Sequence, residues 1–557
     1  MEITQTYARP SRAVSGSDGL RMELSAEQSR PPVFLEALVG QSRDYARAML
    51  ALHRVVGMDL RKRDRDHSAY QEWVQERYLE ELGAMQASRL AARPGLLERT
   101  ALLTREISQV QQRVQELERP LYGPTWARAE RRYYGWAWIH DRAAWWVLDP
   151  VVSVHPDAVF FEAFSRDEST YARVTVPRAQ LTVLGSPTCG TTNIDFSLAL
   201  AREFERVRDY RPAWLQVGAE SVTLATSQGE AVEKKIDLPP TWVRGFLQVQ
   251  SAGTLPHTPV RLSASTLADV LDVLARRKER VSPRSLRFHL VPGERPRLTL
   301  EPWDITIHEP AHRFEGDAPV EIRIWGRRRL LALEALLPQA QEVEVRLLGT
   351  GLPSFWRVHA GAHTFDLGLS GWSGNDWARA ARFHLLTAPG KPAGQAPMRN
   401  QEAATLLESR FHLSTAELAA LTGWKQSEAA AALQSLCAAG QAMYDPTPNC
   451  YRWRPLFGFA LPEDEADQQA GYAASLVRTG RVVWETGSEV TPSGSWLRAR
   501  VLGLSECRVR LELNADGGCR TAECSCAEFR RNRLRLGPCA HLLAVGMAAA
   551  SLGETHA

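Results

Sequence analysis

The stretch CSCAEFRRNRLRLGPCAH, residues 524–541, places three cysteines, one histidine and four arginines within eighteen residues. The candidate ligands are Cys524, Cys526, Cys539 and His541, spaced as Cys-x-Cys, twelve residues, then Cys-x-His. In an extended segment, residues i and i+2 point the same way, so both thiolates of the first pair can reach one ion. The second pair lies at the predicted start of a helix. Four N and S ligands of this kind favour a closed tetrahedral Zn²⁺ site, so the stretch predicts one structural zinc ion.

Arginines are crowded between the two ligand pairs, at Arg530, Arg531, Arg533 and Arg535. Three thiolates and a neutral imidazole leave a Zn²⁺ site with a net charge of about −1, which four guanidinium groups exceed. Arginine presents a planar donor fork that suits phosphate, so these side chains are candidates for nucleic-acid contact. The alternative is that they pair with local carboxylates or balance the zinc thiolates, and both interpretations stay open.

The composition describes an ordinary globular chain of several units. A length of 557 residues predicts three to five domains at roughly 150 residues each. Apolar residues make up 44% and charged residues 24% of the sequence, which argues against disorder. The formal charge is only +3, from 67 basic and 64 acidic residues. Any binding of nucleic acid must therefore come from local patches rather than from a global field.

Cysteine usage supports the metal interpretation. The sequence has no run of eighteen apolar residues, so we predict no membrane span, and its first residues lack the apolar core of a signal peptide. We therefore expect a cytoplasmic protein, in which thiols stay reduced. Five of the eight cysteines fall within residues 507–539, a cluster that indicates metal binding before disulfides. Cys507 is a candidate neighbour of the site or an alternative ligand.

The pattern along the chain predicts a multidomain α+β protein. Spacings of three and four between apolar residues indicate helices from about residue 32 to 117, after an irregular start, and the second of these carries a short a/d stripe. That stripe fits a helical hairpin or a dimerising coiled coil. The predicted units are a helical N-terminal region at 1–120, a β-rich α+β domain at 121–250, an α+β domain with a duplicated strand–helix–strand–hairpin unit at 251–386, a linker at 387–398, a helical module at 399–457 and a metal-binding domain at 471–552.

The module at 399–457 resembles a winged helix-turn-helix, because three helices precede a short hairpin. Ser414 and Glu417 form a capping box for the second helix, and Gly440 ends the third. Lys425 at the start of the third helix and Arg452 on the hairpin are candidates for nucleic-acid contact. Readers of DNA usually carry more positive charge on that helix, so protein docking is the alternative.

The C-terminal constellation resembles the SWIM-type zinc finger, whose pattern is Cys-x-Cys, a variable gap, then Cys-x-His. The likeness includes the flanking segments RTAECSC and GPCAHLLAV. Upstream, DPVV at 149–152, FEAFS at 161–165, YAR at 171–173 and GTTNIDF at 190–196 are similar to segments of long bacterial SWIM zinc finger proteins. The resemblance implies partners encoded nearby, a MoxR-type AAA+ ATPase and a von Willebrand A protein. It implies no catalytic residue.

The sequence thus predicts a zinc-binding, non-enzymatic multidomain adaptor. It would bind DNA, RNA or protein through its SWIM finger and its winged-helix-like module. One alternative is a protein-interaction subunit of the AAA+ and von Willebrand A system that makes no contact with nucleic acid. A second alternative is an enzyme hidden in the β-rich middle, although no motif in residues 121–386 indicates catalytic chemistry.

Overall fold

The computed structural model describes residues 4–6, 12–16, 19–24, 33–59, 150–193, 204–205, 207, 213–217, 234–236, 240–278, 283–371, 376–377, 382–387, 396–446, 448–456, 468–491, 494–503, 505–535 and 537–555. Contacts divide the chain into two compact units, Met1–Leu60 with Leu148–Ala557, and Arg61–Val147. All described residues belong to the first unit. The predicted helix with the a/d stripe, and most of the predicted linker at 387–398, lie outside the described residues.

The described residues form strands, α-helices and short 3₁₀ segments. The strands are β1 (Thr4–Thr6), β2 (Arg12–Gly16), β3 (Gly19–Leu24), β4 (Phe34–Val39), β5 (Val151–Val154), β6 (Ala158–Phe164), β7 (Thr170–Pro177), β8 (Leu181–Thr188), β9 (Gly190–Asn193), β10 (Ala213–Val217), β11 (Lys234–Ile236), β12 (Thr258–Ser263), β13 (Leu286–Leu290), β14 (Arg297–Leu300), β15 (Ile305–His308), β16 (Val320–Ile324), β17 (Ala340–Leu347), β18 (Ser354–Ala360), β19 (His363–Leu369), β20 (His412–Leu413), β21 (Ala442–Asp445), β22 (Cys450–Trp453), β23 (Val482–Trp484), β24 (Glu489–Thr491), β25 (Gly494–Leu502), β26 (Glu506–Asn514) and β27 (Cys519–Cys524). The helices are α1 (Ser42–Val56), α2 (Pro240–Thr254), α3 (Ala264–Arg276), α4 (Ala396–Arg410), α5 (Thr415–Thr422), α6 (Gln426–Ala438), α7 (Gln468–Arg478), α8 (Ala527–Asn532) and α9 (Ala540–Thr555), with 3₁₀ segments at Arg178–Gln180, Arg327–Gln339 and Phe383–Leu386.

The N-terminal region is not wholly helical, which corrects the prediction for residues 1–120. Strands β2, β3 and β4 lie in a five-stranded sheet of order β2-β3-β10-β4-β8. Side chains of β4 alternate between half-buried and buried positions, as one face of the strand meets the core. The alternation could not be recognised in the sequence, because the short apolar run also fits a helix. Pairing with β8 and β10 makes this segment a strand. Helix α1, within the predicted helical stretch, is present.

The middle of the chain is built around an antiparallel eight-stranded sheet of order β12-β17-β18-β19-β7-β6-β5-β9. The sheet combines strands from both sides of the predicted boundary at 250/251, since β19 pairs with β7. The domain ranges themselves stay predictions. A separate four-stranded sheet has the order β15-β14-β13-β16. The predicted duplication is not confirmed, because its first helix is the α-helix α3 whereas its second is the 3₁₀ segment Arg327–Gln339.

Residues 396–456 contain the predicted helices and hairpin. The order is α4, β20, α5, α6, β21, β22, and the strands form a small sheet of order β20-β22-β21. The predicted capping box is confirmed: Ser414 Oγ accepts from the Glu417 amide at 3.1 Å, and the Glu417 carboxylate accepts from the Ser414 amide at 2.7 Å. Gly440 follows α6 with a φ of 70°, the left-handed conformation that glycine adopts without strain.

The C-terminal unit is a sheet covered on one face by helices. Its five strands follow the order β23-β25-β26-β27, with β24 paired to β25, and α9 packs on β25, β26 and β27 and against α7. The sequence predicts four strands here, at 481–486, 496–502, 506–513 and 518–524. All four are present within two residues of these limits, and β24 is additional. Among the described residues, no helix is both long enough and apolar enough to cross a membrane.

Candidate metal centre

The first ligand pair stands where β27 ends. Cys524 lies opposite Val509 of β26, and the chain stays extended through Ser525, whose amide donates to the Arg508 carbonyl at 3.0 Å. Ser525 Oγ accepts from the Arg508 amide at 2.9 Å. The side chain of Ser525 is exposed, whereas Cys524 and Cys526 are both buried. The predicted alternation is therefore confirmed, and both sulfurs face the same side.

A short helix turns the chain away from this pair. Cys526 is the N-cap of α8, and its Sγ accepts from the Phe529 amide at 3.3 Å. The helix ends at Arg533, which has a φ of 50°. The chain then returns through Gly537, with a φ of 97°, where a Cβ would lie only 2.8 Å from the Arg382 carbonyl oxygen. Glycine is therefore required at this return, which leads directly into the second ligand pair.

The second pair begins helix α9. Cys539 immediately precedes the first residue of the helix, and His541 lies in its first turn. The ligand atoms of Cys524, Cys526, Cys539 and His541 all lie within 4.8 Å of one another, and the three cysteines are buried. The described part of the chain holds no second group of this kind. The structure thus brings together the four residues that the spacing predicts.

The thiols of the cluster interact with one another and shift each other's pKa. A hydrogen bond from Cys539 lowers the pKa of Cys524 to about 4, and the same bond, with burial, raises the pKa of Cys539. Burial raises the pKa of Cys526. Within the described residues, Nδ1 of His541 is buried without a hydrogen-bond partner. The hydrogen bond between two of the thiols shows that they lie close enough to bind one ion, and a buried imidazole nitrogen is left for a ligand bond.

The donor set selects the class of metal. Three sulfurs and one imidazole nitrogen are the ligands of structural zinc, and zinc would replace the protons that the thiols share. With four protein ligands, a bound ion keeps no open position for a substrate. The residues fit one zinc ion in a structural role.

The neighbouring cysteines do not join the cluster. The thiol of Cys507 donates to the Ser505 carbonyl at 3.7 Å, and the thiol of Cys519 donates to the Thr521 carbonyl at 3.7 Å. Burial raises the pKa of Cys519 to about 12. The alternative that Cys507 serves as a ligand has no support in this geometry.

The four arginines of the ligand loop do not form one exposed patch. Arg530 and Arg531 are exposed on α8 rather than on a loop, and Arg533 is exposed with its guanidinium 5.7 Å from the Phe529 ring centre. Arg535 is half-buried and packs on Gly351, where a Cβ would lie 2.9 Å from the arginine Nε. Three of the four are therefore open to a ligand from solvent, and the fourth packs within the fold.

The two candidate residues of the helical module are in different environments. Lys425 is exposed just before α6, and its amide donates to Glu428 Oε2 at 3.0 Å. Arg452 is buried, with ion pairs of 2.7 Å to Asp445 and 2.9 Å to Asp157. The structure gives no support to the prediction that Arg452 contacts nucleic acid, because its guanidinium is buried and paired with two carboxylates. Hairpin position alone could not distinguish an exposed arginine from one that faces the neighbouring sheet.

A second set of arginines was not identified from the sequence. Arg498, Arg500, Arg508 and Arg510 lie on β25 and β26 near the metal cluster, on one face of the sheet. Their signal is the alternation of arginine with apolar residues in LRARV and CRVRL, at residues 497–501 and 507–511. This pattern is typical of a strand with one exposed face. Which arginines lie together becomes apparent only when the two strands are paired in the structure.

The comparisons with known proteins do not show a family for this chain. No family model matches the sequence, and no curated protein matches it. The solved structures that match include the Proliferating Cellular Nuclear Antigen of Entamoeba histolytica, with 12% identity, a TM-score of 0.29 and coverage of 40% of this chain and 88% of that one. PCNA from Thermococcus kodakaraensis has 12% identity, a TM-score of 0.26 and coverage of 40% and 89%. A. fulgidus PCNA, solved with the C-terminal region of FEN-1, has 11% identity, a TM-score of 0.28 and coverage of 42% and 94%. Similarity this low supports no inference about function.

Proposed function

We propose that this chain is a zinc-binding, non-enzymatic adaptor whose C-terminal unit is a SWIM-type zinc finger that binds a macromolecule. The observation that carries the proposal is the convergence of Cys524, Cys526, Cys539 and His541 within 4.8 Å. A closed set of four ligands supports a structural ion, because a catalytic zinc keeps one position for water or substrate. The ion would join the end of β27 to the start of α9 and so hold the helix on the sheet.

The metal would contribute directly to folding of this unit. Two of its ligands end a strand and two begin the helix that covers the sheet, so no single element carries the site. A site of this kind does not exist in the unfolded chain, and the free energy of binding zinc is then free energy of folding. The adaptor function, binding of nucleic acid, protein or both, depends on a surface that this folding creates.

The test is the metal content of the full chain. Elemental analysis of protein purified without chelator is expected to find one zinc per chain. Removal of the metal with a strong chelator should expose residues 494–555 to limited proteolysis and leave the eight-stranded sheet folded, and added zinc should restore protection. Protein that is folded throughout residues 494–555 and contains no metal would contradict the proposal.

A second candidate is an adaptor that contacts only proteins, such as a MoxR-type AAA+ ATPase or a von Willebrand A protein. The burial of Arg452 favours it for the winged-helix-like module, since the hairpin then offers less positive charge to a nucleic acid. Reversal of the charge at Lys425 should leave DNA affinity unchanged if this module docks on a protein. Loss of DNA binding from that variant would instead assign nucleic-acid contact to the module.

A further inference from the structure

The uncovered face of the C-terminal sheet carries a ladder of arginines. Strands β25 and β26 pair so that Arg498 lies opposite Arg510 and Arg500 lies opposite Arg508. The alternate residues of both strands point to the other face, where they are buried: Leu497, Ala499, Val501, Cys507, Val509 and Leu511. Since α9 packs on these strands at the buried face, the arginines lie on the face that the described residues leave open to solvent.

This arrangement is unfavourable for the sheet itself. Like charges directly opposite on neighbouring strands repel and destabilise the pair. Carboxylates compensate the ladder only in part. Arg500 lies 3.6 Å from Glu485 and 3.4 Å from Glu506, and the exposed Arg510 lies 3.7 Å from Glu523.

The remaining two arginines have no carboxylate partner. Within the described part of the chain, the guanidinium groups of Arg498 and Arg508 make no ion pair, and both side chains are exposed. They sit on different strands at diagonal positions of the ladder. These two exposed cations, at diagonal positions on one face of the sheet, could both contact an anionic ligand that spans the two strands.

The arginines line a concavity beside an exposed aromatic side chain. The concavity has a volume of about 500 Å³, and its lining includes all four arginines with Glu485, Thr486 and Trp484, which lies opposite Ala499 and packs against the core. Trp496 lies two residues before Arg498 on the same face of β25, and 57% of its surface is exposed. An indole this exposed is rare in the described residues and is a surface on which a planar group can stack.

We propose that this face binds a single strand of nucleic acid, with phosphates on the arginine ladder and a base stacked on Trp496. Guanidinium groups track the backbone of single strands, and aromatic side chains stack on bases that are not paired within a duplex. An acidic peptide would use the cations but would leave the exposed indole without a planar partner. The inference rests on the proposed function, since the sheet belongs to the unit that zinc would stabilise.

The first measurement is binding of the zinc-loaded full chain to a fluorescently labelled, mixed-sequence single-stranded DNA, by fluorescence anisotropy over a range of salt concentrations. If all four arginines neutralise phosphates, the log–log slope of affinity against salt should be about −2.8 for a single strand. RNA of the same sequence should bind with a similar slope, because phosphate contacts carry no sequence information.

The decisive variant is Arg498→Ala with Arg508→Ala. It removes the two uncompensated cations, so the slope should become shallower by about 1.4 and the affinity should fall roughly tenfold or more at low salt. The matched control is Arg478→Ala with Arg481→Ala, which removes the same charge from the end of α7 and the turn after it in the same unit, where both side chains are exposed. The control should keep the wild-type slope. Thermal stability should be unchanged or higher in the first variant, because it relieves repulsion; a role in folding alone would lower it.

The role of Trp496 is tested separately. Trp496→Ala should weaken binding of the single strand by roughly tenfold, as expected for loss of one stacked base, without changing the salt slope. An abasic strand of equal length should bind the wild-type chain as weakly as the normal strand binds this variant.

Several outcomes would overturn the inference. These are no binding of DNA or RNA by zinc-loaded protein at low salt, loss of binding in the α7 control rather than in the ladder variant, or competition by polyglutamate as strong as by the oligonucleotide. A chain that binds no zinc contradicts the proposed function instead, so metal content measured on the same samples separates the two failures.

Discussion

The metal cluster and the buried arginine network both hold charged groups inside the protein, but their members are distributed differently along the chain. The four candidate zinc ligands fall within residues 524–541. In the network, Arg173 pairs with Asp366 at 2.8 Å and with Asp445 at 3.1 Å, across 193 and 272 residues. Arg454 pairs with Glu162 at 2.9 Å, across 292 residues. The first site is a local motif, and the second exists only in the folded chain.

The network joins two parts of the described fold. Its arginines and carboxylates link the hairpin β21–β22 to strands of the eight-stranded sheet, and Arg452 also bonds to Asp157 beside β6. Burial alone would raise the pKa of Asp445, but the charges of Arg173 and Arg452 outweigh it and hold the pKa below its usual range. Removing one partner of a buried ion pair is strongly destabilising, because it leaves a buried charge uncompensated. Metal ligands can therefore be recognised from local spacing in the sequence. Buried ion pairs can be recognised only in the folded structure.

The largest effect should follow from breaking the metal cluster. Cys526→Ser is expected to abolish zinc binding, which contributes on the order of 10 kcal/mol to folding of small zinc domains. Elemental analysis should find no zinc, and residues 494–555 should become sensitive to protease. Cys507→Ser is the matched control, because Cys507 is buried nearby but lies outside the cluster. Loss of zinc from the control would show that the ligand set is incorrect.

Breaking the buried network should have the next largest effect. Asp445→Asn leaves Arg173 and Arg452 without their shared carboxylate, and we expect a loss of about 3–5 kcal/mol in the free energy of unfolding. Chemical denaturation followed by tryptophan fluorescence measures it, and the zinc content should not change. Glu523→Gln is the control, since its exposed pair with Arg510 should contribute less than about 1 kcal/mol. Equal effects from the two variants would contradict a special role for burial.

The smallest expected effect is on the pH dependence of stability. His155 is buried between Phe160 and Phe411, and burial, followed by the charge of Arg452, lowers its pKa to about 3. A histidine that is neutral when folded and titrates near 6.5 when unfolded stabilises the fold above that value, and the contribution is lost as pH falls. At about pH 5 the loss should reach about 2 kcal/mol.

The measurement is the free energy of unfolding at neutral pH and at about pH 5, for the wild type and for His155→Gln. The variant should lose less stability on acidification than the wild type, by about 2 kcal/mol. Identical pH dependence in the two proteins would show that His155 is not held neutral. The groups around it, Asp157, Asp445, Arg452 and His412, are present in both proteins.

Features that depend on neighbours in the chain were predictable. The capping box at Ser414 and Glu417, glycine after α6, four strands of the C-terminal unit and the convergence of the ligands all follow from spacings of a few residues. Strand β4 was not predictable, because a short apolar run fits both a helix and a strand. Its partner strands β8 and β10 are distant in the sequence. The SWIM assignment, the winged-helix interpretation and the domain ranges stay predictions.

By itself, the sequence determined which residues could bind a metal, since the alternation of an extended strand and the first turn of a helix dictate where Cys524, Cys526, Cys539 and His541 point. It could not determine which arginines meet solvent and which meet carboxylates. Arg452 and Arg498 are both strand arginines flanked by aromatic or apolar residues, yet one is buried in ion pairs and the other faces solvent. Only the tertiary structure decided this, because the environment of a strand face depends on what packs against it, and those partners lie far away in the chain.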